Sequence, residues 1–208
     1  MTGMGNQDSW SLGEQDTVID ALERAVQAYP DRVLLDFSGD LYTYAEVDRL
    51  STRLAHGLAA LGVQPGQTVV TMLDNNVDAV LFWLGVNKLC AVHVPINTAL
   101  RGEFLRHQVA DAGAALIVCE ASYVERIAAI AHQLPEARKL LCRGPISMTM
   151  CGPIPVEPLD AHRGSDDTSL VRKPKPWELS NLIYTSGTTG PSKGCMITGN
   201  QMCHFARM

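Results

Sequence analysis

The sequence predicts an α/β protein: a doubly wound, mostly parallel sheet with helices on both faces, followed by the start of a second subdomain. Three observations predict it. From residue 68 onward, short apolar runs of strand length alternate with longer segments of helical period. The short runs are nearly continuous in apolar residues, as strands covered by helices on both faces require. The long segments open and close on capping residues, glycines and prolines at helical offsets.

Taken in order, residues 1–16 read as a flexible N-terminus, polar and acidic. Asp16 and Thr17 open a helical pattern in which Val18, Leu22, Ala25 and Tyr29 share one face, and Pro30 ends it. A strand is expected over 33–37, and Ser38-Gly39-Asp40 turns the chain into Leu41 and Tyr42. Thr43 and Glu46 have capping-box spacing: the hydroxyl accepts from the third helical amide while the carboxylate reaches back to the cap amide. Val47, Leu50, Leu54, Leu58 and Leu61 then repeat at helical spacing as far as Gly62, a natural left-handed stop. Strands over 68–73, 91–94, 115–119 and 139–142 alternate with helices over 77–89, 101–112 and 122–133. Residues 17–143 thus form one α/β subdomain. Residues 144–176 contain six prolines and no helical period, and read as a long connection with at most short strands. Its basic residues Arg172, Lys173 and Lys175 read as solvated charge, with an anion contact as the alternative. Residues 177–208 begin a further, truncated unit of strand, loop, strand and helix, whose apolar face lacks a sheet to join.

Composition narrows the function classes. The chain has 208 residues, 46% hydrophobic and 19% charged, enough to remove roughly 70% of its unfolded surface from water without disulfides or a structural metal. Seventeen Lys and Arg against twenty-two Asp and Glu give a net charge of -5. That balance supplies no cationic field for a nucleic-acid backbone or an anionic membrane. Cys90, Cys119, Cys142, Cys151, Cys195 and Cys203 are scattered without metal-site spacing, and read as reduced thiols of a cytoplasmic protein. The most apolar stretch, 77–96, carries Asp78, Lys88 and His93, which are costly in a bilayer, so no membrane span is expected. The six histidines, His56, His93, His107, His132, His162 and His204, lie on different elements and read as structural.

The chemistry concentrates in one segment, Tyr184-Thr185-Ser186-Gly187-Thr188-Thr189-Gly190-Pro191-Ser192-Lys193-Gly194, which follows an apolar strand. Glycines let backbone amides close around an anion, hydroxyls add adjustable donors, and Lys193 adds a point charge. A plain polar turn also uses Gly, Ser and Thr, but the combination directly after a strand points to a polyphosphate. It is not a Walker A loop, which needs Gly at position 192 and Ser or Thr at 194. No dinucleotide fingerprint, GxSxG elbow or HExxH helix is present.

The run YTSGTTGPSKG resembles the phosphate-binding signature of the AMP-forming acyl-CoA synthetases, luciferases and peptide-synthetase adenylation domains. Upstream, Leu73-Asp74-Asn75 and the run FWLGVNKLCAVHVPINTALRGEFLRH are similar to the family's LGxxKxGxxxxPxN segment. The wording VPINTALRG and GPSKGCMIT is nearest the carnitine or crotonobetaine CoA-ligase and fatty acyl-CoA synthetase branch. The resemblance implies a two-step ligase: a carboxylate attacks ATP to give an acyl-adenylate and pyrophosphate, and coenzyme A then takes the acyl group. It makes Thr185, Ser186, Gly187, Thr188, Thr189, Gly190 and Lys193 the contacts to the β- and γ-phosphates. It also implies Mg2+, whose contacts, like those of coenzyme A and the catalytic residues, are expected beyond Met208. Where the family often has His after the Ser or Thr of the second strand, this chain has Gly199 after Thr198. The expectation is therefore the N-terminal part of an ATP-dependent acyl-CoA ligase, inactive without a missing C-terminal portion. A stand-alone nucleotide- or protein-binding module without catalysis is the alternative.

Overall fold

The computed structural model describes residues 13–170, 172–185 and 191–208. Its centre is a mixed, mostly parallel eight-stranded sheet with helices packed on both faces. The first helix, α1 (Val18–Ala28), is capped by Thr17, which accepts from the Asp20 amide while the Asp20 carboxylate takes the Thr17 amide. A hairpin of β1 (Val33–Phe37) and β2 (Asp40–Thr43) forms a small separate sheet. Thr43 and Glu46 then close the expected capping box at the head of α2 (Tyr44–Ala60).

From here the chain alternates: β3 (Thr68–Met72), α3 (Val77–Lys88), β4 (Val92–Pro95), α4 (Gly102–Asp111), β5 (Leu116–Glu120), α5 (Val124–Ala128) and β6 (Lys139–Arg143). Within 144–176 lie the short strands β7 (Met150–Cys151) and β8 (Ile154–Pro158), and β8 extends the sheet parallel to β6. The last elements are β9 (Leu179–Thr185), β10 (Lys193–Thr198) and α6 (Gly199–Arg207). Across the sheet the order is β10-β9-β4-β3-β5-β6-β8-β7.

Successive strand residues point to opposite faces, and here both faces are buried. Val69, Leu116, Val118 and Leu141 pack with residues of α1, α2 and α3 on one side. Val70, Met72, Ile117, Cys119 and Leu140 pack with residues of α4 and α5 on the other. This is why the strand sequences carry no polar alternation.

Two expectations need correction. The buried face of α1 is Ile19, Leu22 and Ala25, while Tyr29 is 43% exposed. The apolar positions permit either stripe, and contact with α2 and α3 selects the one containing Ile19. The helix expected over 122–133 is also broken: a 3-10 turn at Ala121–Tyr123, the short α5, and a second 3-10 turn at Ala131–Gln133. Val124 and Ile127 on α5 and Ile130 just after it are all buried in the core, so the segment keeps its apolar side inward although its winding changes.

Residues 177–208, read from sequence as lacking a sheet, find one. β9 runs parallel to β4 through the pair His93 and Asn181, and β10 returns antiparallel beside it as the rim strand. His93 is 5% exposed, its Nε2 lies 2.9 Å from the Thr71 hydroxyl of β3, and the Asn181 side chain also bonds the ring. Burial pushes its pKa down to about 4, partly opposed by the Asn181 bond. A neutral imidazole therefore joins β3, β4 and β9. Gly199, at the start of α6, sits where a β-carbon would lie 3.0 Å from Thr17 Cγ2 and 3.3 Å from the Lys175 carbonyl oxygen. The departure from the family's His is thus accompanied by close packing of α6 on the cap of α1.

Candidate functional site

The site expected from sequence is the bend between β9 and β10. Ser186, Gly187, Thr188, Thr189 and Gly190 lie outside the described residues. Thr185 and Lys193 are described, and the fold brings them together: they are the last residue of β9 and the first of β10, paired directly across the hairpin. Facing residues of an antiparallel pair carry their side chains on the same face, so the Thr185 hydroxyl and the Lys193 ammonium flank the base of the bend. Both are exposed. Among the described residues Lys193 has no ion-pair partner, which leaves its charge available to an anion.

The two limbs are held by α4. On the β10 side, Gln108 Nε2 donates to Ser192 Oγ at 2.9 Å and His107 Nε2 donates to the Ser192 carbonyl at 2.9 Å. On the β9 side, the Tyr184 hydroxyl donates to Asp111 Oδ2 at 2.6 Å. The His107 ring stands edge-on to Tyr184, with centroids 6.5 Å apart and planes at 76°. Burial, and then the Asp111 carboxylate, push the Tyr184 phenol up, so it stays protonated and donates. Sequence reasoning read His107 as structural and passed over Gln108 and Asp111. Their signal is tertiary, because residues 107 to 111 meet 184 and 192 only through the fold.

Other polar groups are engaged internally. The chain leaves β3 and β5 toward opposite faces of the sheet, the arrangement that opens a ligand crevice in many α/β proteins. Here Glu120 fills that point. Its Oε1 accepts from the Asp74 amide at 3.2 Å and Asn76 Nδ2 at 2.8 Å, and its Oε2 from Arg143 at 3.3 Å. Beside it Asp78, 2% exposed, receives Arg143 at 2.6 Å and Arg163 at 2.7 Å. Burial opposes ionisation of Asp78, and the two guanidiniums outweigh it, holding the carboxyl below its usual range.

The basic cluster of the connection is likewise taken up: Arg172 pairs with Glu178, Lys173 with Glu23 at 2.5 Å, and Lys175 lies 5.6 Å from the centre of the Trp177 ring. Lys88 borders a nearby cleft of about 370 Å³, but its ammonium donates to Asp48 O, Asp48 Oδ1 and Thr52 Oγ1, which uses all three protons. Among the described residues no three His, Cys, Asp or Glu side chains converge on a metal position, so these residues assign no Mg2+ ligand. No described helix is long and apolar enough to cross a membrane.

The chain is similar to known proteins in sequence and in fold. Residues 22–208 match the family described as AMP-binding enzyme. Feruloyl-CoA synthase of Amycolatopsis sp is 34% identical over 175 residues, covering 84% of this chain and 32% of that protein. Tyrocidine synthase 3 of Brevibacillus parabrevis is 31% identical over 192 residues, 92% of this chain and 3% of that protein. Among solved structures, the anthranilate CoA ligase AuaEII in complex with anthranoyl-AMP superposes with a TM-score of 0.79 at 21% identity, over 94% of this chain and 37% of that one. The chain thus spans about a third or less of the length of these two relatives. The relatives include both a peptide synthetase and a CoA synthase, and so do not single out the carnitine or fatty acyl branch. With residues 22–208 matched, the chain belongs to the AMP-binding enzyme family.

Proposed function

We propose that the chain is the N-terminal part of an ATP-dependent acid–thiol ligase, and that the bend between β9 and β10 receives the β- and γ-phosphates of ATP. The observation that carries the reading is the pairing of Thr185 with an exposed Lys193, which has no ion-pair partner among the described residues, at the base of a segment rich in glycine and hydroxyls. Thr185, Ser186, Gly187, Thr188, Thr189, Gly190 and Lys193 are the contacts. Hydroxyls and amides donate, and the ammonium neutralises the charge that grows on pyrophosphate as the carboxylate displaces it from the α-phosphate. The proposed second step is transfer of the acyl group to coenzyme A, a reading supported by the match to feruloyl-CoA synthase. The carnitine or fatty acyl branch remains the nearest wording of 94–102 and 190–198. No step is assigned to Mg2+ through the described residues.

Since the chain covers 32% of feruloyl-CoA synthase, the complete reaction is expected to need residues beyond it. The isolated chain should bind pyrophosphate weakly and should not exchange labelled pyrophosphate into ATP. Lys193→Ala should weaken pyrophosphate binding in calorimetry about tenfold, the value of one charge-assisted contact. Equal affinity of variant and parent would remove the reading.

A further inference from the structure

We propose that His107, Gln108 and Asp111 of α4 are positioning residues for phosphate recognition: they fix the two limbs of the bend, and with them the point from which the Lys193 ammonium emerges. The inference rests on the phosphate reading above and adds residues that no motif contains.

The geometry carries it. Positions 107 and 111 are one helical turn apart, and 108 and 111 are three apart, so all three side chains leave neighbouring parts of one helix surface. They reach two strands that are eight residues apart in sequence at the contact points, Tyr184 on β9 and Ser192 just before β10. Each contact lies one residue before a phosphate candidate: Tyr184 precedes Thr185, and Ser192 precedes Lys193. Those two candidates form the closing rung of the hairpin. A shift of either limb along α4 therefore displaces that rung.

The contacts are also specific in chemistry. Gln108 is 8% exposed, and its amide donates to the Ser192 hydroxyl, so moving Ser192 away would strand a buried donor. His107 holds the backbone of the same residue through its carbonyl, which fixes chain direction as well as side chain. Asp111 accepts the hydrogen bond of the Tyr184 hydroxyl and the His107 ring packs edge-to-face with that tyrosine, so the two limbs are joined through α4. None of the three residues is required to touch the ligand.

The test uses the full chain, inorganic pyrophosphate as the probe, and two substitutions that preserve bulk. Gln108→Met removes the bond to Ser192 at nearly constant volume, and Tyr184→Phe removes the bond to Asp111. In each variant the backbone amide resonances of Lys193 and Gly194 should shift, and pyrophosphate affinity by calorimetry should fall about fivefold, the scale of one hydrogen bond. Melting curves establish that both variants are folded, and Tyr184→Phe decides the matter if Gln108→Met is not. Unshifted Lys193 and Gly194 resonances, or unchanged affinity in a folded variant, would overturn the proposal. If Lys193→Ala weakens binding and the α4-contact variants do not, only the positioning role fails. If the parent chain binds no pyrophosphate, the phosphate reading fails and takes the positioning role with it.

Discussion

His93 makes the stability of this fold depend on pH in a defined window. The imidazole is buried where β3, β4 and β9 meet, and its folded pKa is about 4 against an ordinary 6.5. Between these values the unfolded chain takes up a proton that the folded chain refuses. Stability therefore falls as the pH drops from 6.5 to 4, and this contribution levels off below the folded value. The separation is worth about 3 kcal/mol, at about 1.4 kcal/mol per tenfold change in proton affinity. The perturbation is His93→Gln, which keeps a polar side chain near Thr71 and removes the titration.

Urea unfolding of parent and variant, followed at steps across that window, gives the difference in stability as a function of pH. The parent should lose about 3 kcal/mol relative to the variant from the top of the window to the bottom. Asp78 acts in the same direction but lower: its carboxyl is held below the ordinary 3.8, so its contribution is present above that value and lost as the pH falls through the folded pKa. It is common to both proteins and cancels in the difference. A difference that stays flat across the window, or an imidazole that titrates near 6.5 in the folded chain, would refute the reasoning.

Two further outcomes follow from the packing. Asp78→Asn should cost about 2–3 kcal/mol by chemical denaturation, because it breaks charge-assisted bonds from Arg143 and Arg163 to a buried acceptor. The loss stays below that of a fully buried pair because the two arginine side chains are 37% and 39% exposed. Gly57→Ala gains about 1 kcal/mol of helix propensity, yet its β-carbon would fall 1.9 Å from the His162 carbonyl oxygen. The clash with backbone wins, and the variant should melt below the parent, by an amount equivalent to about 1–3 kcal/mol.

Much of the fold was legible because its signals are local. The Thr43 and Glu46 box, the apolar runs of β3, β5 and β6, and the stop at Gly62 all lie within a few residues of what they specify. The misreadings have a common cause, which is that tertiary contact decides between local options. Nothing in 18–29 alone prefers Ile19 over Val18 as a core position, and nothing in the apolar spacing of 121–133 marks where the 3-10 turns on either side of α5 begin. The prolines of 144–176 obscured β8, although Ile154 and Val156 alternate inward and are buried. At the site, the glycines, hydroxyls and Lys193 were visible as a contiguous string. The three α4 residues were not, since they reach Tyr184 and Ser192 over a long span of sequence.

The rim position of β10 has a practical consequence for handling the protein. One side of that strand pairs with β9, while its outer backbone donors and acceptors have no strand neighbour in the described sheet, and Met196 is 71% exposed beside them. Lys193 at its first position supplies the strand's one formal charge. Such a ribbon invites lateral addition of a second copy. Purified chain should accordingly form larger species as its concentration rises, and Met196→Lys should suppress them.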